Sequence, residues 1–155
     1  LRIKMKEQFN VLRKSRELVI KELEGLTLEE IHKTPEGFKN NIAWNVAHLV
    51  VTQQLLHYKL SGLNPLCPDD LIEAHRKGTS PTKVFTAEEF EEVKELLVAL
   101  PNTLEEDFNA GIFENYTEYP TSTGYILSSI ENAISFNNFH EGIHYGIIRA
   151  LKKCI

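Results

Sequence analysis

The sequence predicts an all-α protein, a four-helix bundle, and three observations carry that prediction. Four long segments place apolar residues at three-, four- and seven-residue steps, the spacing that lines one face of a helix. No segment shows sustained two-residue alternation bounded by turn signals, and there is no internal repeat. One connection, Ser61 to Phe85, is longer than loops between antiparallel neighbours usually are. Its length suits a crossover that spans the bundle and leaves the second and third long helices parallel.

The first segment runs from about Ile3 to Leu23, with Met5, Phe9, Leu12, Val19 and Leu23 on one face. Arg16 falls on that same stripe, an expensive place for a charge without a partner or a wet pocket. Pro35-Glu36-Gly37 reads as a turn, and Asn40 or Asn41 then offers an N-cap for a second helix reaching about Leu60. That helix is apolar nearly all round, with Lys59 its only charge, so it should be the most buried. Gly62 and Pro65 stop it, and a short helical turn is expected near Asp69-Asp70-Leu71-Ile72 inside the crossover. The third helix opens at a Thr86–Glu89 capping box and points Phe90, Val93, Leu97, Leu100, Leu104 and Phe108 inward. Pro101 inside that pattern predicts a kink or a restart. The fourth helix is expected to open at Ser128, boxed with Glu131, and to run to about Lys153 with Ile130, Ala133, Ile134, Ile147 and Leu151 on one face.

Composition bounds the function. At 155 residues, 42% hydrophobic and 25% charged, the chain fits one globular domain over residues 1–155. Its formal charge of −5 argues against nucleic acid as a partner, because phosphate binding needs a basic footprint. Cys67 and Cys154 form no metal-finger spacing and no disulfide framework, so a reducing, cytoplasmic setting is expected. The start LRIKMKEQF lacks a signal-peptide core. The apolar run from Ile42 to Leu60 is interrupted by Asn45, His48, Thr52, Gln53, Gln54 and His57, so no membrane span is expected.

The histidines carry the chemistry. His140 and His144 lie four apart on the fourth helix, so their rings project from one face a turn apart and can reach one ion. The bland alternative is a pair of hydrogen-bonded core histidines. A third, His48, sits in the apolar second helix. At about 1.5 Å of rise per residue, His48 lies roughly 10 Å from the start of its helix and His144 roughly 12–14 Å from the end of its own. If those helices are antiparallel, the three rings share one level. His57 is half a rotation away from His48, and His32 and His75 are expected to be solvated near connections. A ferritin-like di-iron site needs carboxylates from all four helices, and the second helix has none, so that reading fails.

The segments Asn41-Ile42-Ala43-Trp44-Asn45-Val46-Ala47-His48-Leu49 and Phe139-His140-Glu141-Gly142-Ile143-His144-Tyr145-Gly146 resemble those of the DinB/YfiT-like superfamily of metal-binding four-helix bundles. The resemblance covers essentially the whole chain. It implies an up-down-down-up topology and His48, His140 and His144 as ligands to one divalent ion, zinc preferred, with nickel and manganese as alternatives. Relatives of that kind include thiol-dependent transferases and isomerases. A metal-dependent transferase or hydrolase acting on a small molecule is therefore expected, with S-transfer from a low-molecular-weight thiol the most specific form. The competing class is a non-catalytic metal-binding stress or interaction module. Homodimers are common among similar proteins.

Supporting roles are expected around the triad. Trp44, one turn before His48, could wall the pocket or be plain core. Asn137 could hydrogen-bond a bound water or substrate, and Glu141 could orient a ligand imidazole or be solvated. Arg16 could bind an anionic group or form a surface ion pair. Gly142 and Gly146 face away from the histidines and suggest close helix packing or a dimer contact.

Overall fold

A computed structural model describes residues 2–155, with side chains described from Met5 onward; Leu1 and the side chain of Ile3 lie outside that set. The described residues form six α-helices: α1 (Arg2–Leu23), α2 (Leu28–His32), α3 (Ile42–His57), α4 (Asp69–His75), α5 (Ala87–Ala110) and α6 (Ile130–Lys152). Two-residue strands β1 (Tyr119–Pro120) and β2 (Ile126–Leu127) pair antiparallel before α6. The structure is thus mostly helical, and this small hairpin is its departure from the all-α expectation. Two residues per strand leave no alternation to read.

α3 forms where it does because Asn41 caps it, its side chain accepting from the Trp44 amide at 2.8 Å. Every residue of α3 is buried except Thr52 and Leu55. α1 packs against α5 and α6, and α3 packs against the same two. Gln8 meets Asn138 and Glu22 meets Lys152, so contacts advance together along α1 and α6. They also advance together along α3 and α5, from Gln53–Leu100 to Tyr58–Asp107. Between α3 and α6 they run in opposite senses, Asn45 meeting His144 and His48 meeting His140.

Two boundaries differ from expectation: α3 ends at His57, with a 3-10 turn over Lys59–Ser61 carrying the chain on, and α6 opens one residue later than Ser128. α6 is capped by Ser129, whose hydroxyl accepts from the Asn132 amide, and Ser128 instead donates to the Asn132 side chain. The hairpin sets this register: β2 runs up to Leu127, which is fully buried, and leaves Ser128 as the connector. Ile148, rather than Ile147, takes the fully buried position on α6. α5 continues through Pro101 without restarting. Proline removes the N–H that would have bonded the carbonyl four residues back. That carbonyl, Leu97 O, instead accepts from Arg16 Nη1 at 3.0 Å.

Arg16 is the polar centre of the bundle. It is 1% exposed, and its guanidinium grips Glu141 through Nε and Nη2, both at 2.7 Å. Nη2 also donates to Leu49 O and Gln53 Oε1 at 3.1 Å each. One side chain from α1 therefore joins α3, α5 and α6. It neither faces an anion-binding pocket nor forms a surface pair, because a buried carboxylate already neutralises it. The long crossover holds α4 as expected, but His75 is 1% exposed and stacks on Phe85 at 5.2 Å, so it is not solvated. His32 is half-buried, and its Nε2 accepts from the Phe85 amide. Cys67 and Cys154 are free thiols. Among the described residues no helix is long and apolar enough to cross a membrane.

Candidate metal centre

α3 and α6 bring His48, His140 and His144 together, with one ligating atom from each lying within 4.8 Å of the others. Among the described residues this is the one group of three metal-ligating side chains so disposed. His48 is buried on the most enclosed helix, while His140 and His144 are half-buried a turn apart on α6. Two of the three rings are assigned by the partners of their Nδ1 atoms. His48 Nδ1 lies 2.7 Å from the His75 carbonyl, which can only accept, so Nδ1 carries the proton. His144 Nδ1 lies 2.7 Å from Asn45 Oδ1. The Asn45 amide nitrogen is spent on Asn40 Oδ1 and Asn41 O, which fixes its oxygen as the acceptor and the His144 Nδ1 as the donor.

Both imidazoles thus direct an unprotonated Nε2 toward the shared space, the arrangement in which an outer hydrogen bond orients a ligand ring. His48 Nε2 and His140 Nε2 stand 3.1 Å apart. Two nitrogens on a tetrahedral zinc ion at 2.0–2.1 Å would be about 3.3 Å apart. That pair therefore stands close to the spacing a tetrahedral ion needs, and the ligating atom of His144 lies within 4.8 Å of both. Electrostatics point the same way. Burial lowers the pKa of His48. Burial, then repulsion from His144, His48 and Arg16, lowers that of His140 to about 2. Burial and the nearby His48 lower that of His144 to about 3. Neutral rings keep the lone pairs that a metal requires.

The triad forms one wall of a cleft of about 530 Å³. Trp44 stacks on His48 with ring centroids 4.5 Å apart and donates through Nε1 to Thr79, so it is at once core and cleft wall. Thr52 and Leu55, the two residues of α3 that are not buried, line the same cleft. Phe136, Phe139 and Ile143 of α6 and the β1–β2 turn close the other side.

A model of the DinB superfamily matches residues 12–148, a span that includes all three histidines. The chain belongs to the DinB superfamily. A search of curated proteins finds no match to it.

Of the other expected site residues of this DinB-superfamily chain, none but Trp44 reaches the cleft. Glu141 is committed to Arg16 and makes no hydrogen bond to a histidine. Asn137 is 1% exposed and its amide nitrogen leans on Glu141 Oε1 at 3.4 Å. Its Oδ1, and the His140 Nδ1 one turn on, are buried without a partner. His57 is buried away from the triad, its Nδ1 donating to Gln53 O. Sequence reasoning passed over Asn45 and the His75 carbonyl. Asn45 could have been found, because it is a polar residue on an apolar helix three positions before His48. The His75 carbonyl carries no signal in sequence.

Proposed function

We propose that this chain holds one divalent ion, zinc in preference to nickel or manganese, on His48, His140 and His144. We further propose that it is a transferase or hydrolase acting on a small organic molecule, with transfer from a low-molecular-weight thiol the most specific form. The observation that carries the reading is three neutral imidazoles converging beside a cleft large enough for a small molecule. Three protein ligands with space alongside is the pattern of catalytic rather than structural zinc sites. An ion held there lowers the pKa of a bound water or thiol and so supplies a nucleophile near neutral pH.

The chain's own residues divide the remaining work. Asn45 and the His75 carbonyl hold the ligand rings in one tautomer, and Trp44 holds His48 in plane. The apolar walls exclude water from the ligand's body. No carboxylate lines the cleft, so no side chain stands ready to take a proton from water. That favours transfer over hydrolysis. The senses of the contacts between α1, α3, α5 and α6 support an up-down-down-up bundle, in which α3 and α6 run antiparallel and bring the three histidines level.

The test is elemental analysis of untagged protein prepared without metal-affinity resin, beside His48→Ala and His144→Ala. Near-stoichiometric metal in the wild type and its loss in both variants is the expected result. Cobalt-loaded protein should then develop a thiolate absorption band with a small thiol and turn over an added electrophile. Stoichiometric metal without turnover across thiols and electrophiles would favour a binding module. Absence of metal from the wild type, with no zinc, nickel or manganese binding above the variants, would sink the reading.

A further inference from the structure

We propose that the cleft beside the triad selects organic anions, Lys59 and Lys77 at its margin favouring the carboxylate, phosphate or sulfonate of a ligand whose apolar body lies against Trp44, Phe136 and Phe139. This rests on the reading of the cleft as a ligand site and adds the charge class of what enters it. The chain carries 22 acidic residues against 17 basic ones, yet the cleft lining contains two lysines and no aspartate or glutamate. The two lysines come from separate elements, Lys59 from the 3-10 turn after α3 and Lys77 from the turn after α4, and both reach the same cleft.

Neither lysine forms an ion pair among the described residues, whereas Lys14, Lys83, Lys94 and Lys152 each engage a glutamate. In a net acidic protein, two lysines without an ion-pair partner among the described residues, bordering a carboxylate-free cleft, set a positive field where a ligand would enter. The opposite wall is aromatic and aliphatic, so the complementary ligand is amphipathic: an apolar or aromatic body with an anionic end. Hydroxyls of Thr121, Ser122 and Thr123 border the cleft and add polar groups beside the charge.

Trp44 is the only tryptophan in the chain and lines the cleft, so its fluorescence reports occupancy with or without metal. Phenylbutyrate, phenylbutanol and phenylbutylamine share one apolar body and differ in charge. Titrated into wild-type protein at low salt, with and without zinc, phenylbutyrate should bind about five- to tenfold more tightly than phenylbutanol, and phenylbutylamine weakest, as exposed, solvent-screened charges allow. The preference should shrink as salt rises. The double variant K59Q/K77Q should bind the acid and the alcohol alike, and K59E/K77E should favour the amine. Both lysines are exposed, so folding is not at stake. Equal affinities in the wild type, no Trp44 response to any of the three, or an unchanged order in K59Q/K77Q would overturn the proposal. Metal content is measured on the same samples. Charge ranking in protein that takes up no added zinc retires the metal reading alone, and zinc uptake without charge ranking retires this one alone.

Discussion

Replacing Arg16 by Met tests the buried pair at the centre of the bundle. The substitution keeps the apolar stem and removes the cation that pairs with Glu141, whose side chain is 0% exposed. It also strands Leu97 O, which Pro101 at the fourth position on cannot satisfy, and withdraws a donor from Gln53 Oε1. Breaking one partner of a buried pair typically costs about 3–5 kcal/mol, against a total stability of roughly 5–15 kcal/mol for such a protein. In urea, with a slope near 2 kcal/mol/M, the midpoint should fall by about 2 M. The double variant Arg16→Met/Glu141→Leu removes the stranded carboxylate but still orphans the two acceptors, at about 1 kcal/mol or more each. It should therefore lie about 2 kcal/mol below wild type and above Arg16→Met alone, giving a favourable coupling energy in the cycle. A single variant costing less than about 1 kcal/mol, or a double variant no more stable than Arg16→Met, would refute the claim that charge burial governs this centre.

Other perturbations read other parts of the molecule. Asn45→Leu removes the acceptor that holds the His144 ring and should weaken zinc binding about 10- to 100-fold while leaving far-UV circular dichroism intact, as competition with a chromogenic chelator would report. His57 is fully buried, and burial lowers its pKa to about 4 from an unfolded value near 6.5. The unfolded chain therefore takes up the proton first: the contribution is complete above about pH 6.5 and declines as pH falls toward 4. It amounts to about 3 kcal/mol at most, so His57→Leu should show a shallower loss of stability over that window than wild type. Gly142 and Gly146 are helical and meet nothing within 4 Å of an added Cβ, which gives no support to close packing inside the chain. Alanine at each should raise the thermal midpoint, by about 0.5–1 kcal/mol of stability per site, and a loss instead would show that a second copy covers that face.

The histidine pair on α6, the burial of α3, the Thr86 cap and the extra helix in the crossover were all legible in the sequence, because each is written in local spacing. A spacing of four positions from His140 to His144 is about one helical turn in any context. A helix with apolar residues on every side has nowhere to go but the middle. Loop length also carried information, since the long connection permits α3 and α5 to run in the same sense. The Ser128 start failed by one residue because the competing signal, a hairpin of two residues per strand, is too short to register as a period.

What the tertiary structure alone decided is which distant groups meet. Arg16 and Glu141 stand 125 positions apart, and nothing in either neighbourhood says that the arginine would find that carboxylate rather than a ligand or solvent. The tautomer of His48 depends on a backbone carbonyl 27 residues away. That Lys59 and Lys77 border one cleft depends on where two turns come to rest. Periodicity reports which face of a helix turns inward. Polar partners are chosen only when the faces close on one another and each buried donor must find an acceptor or remain uncompensated.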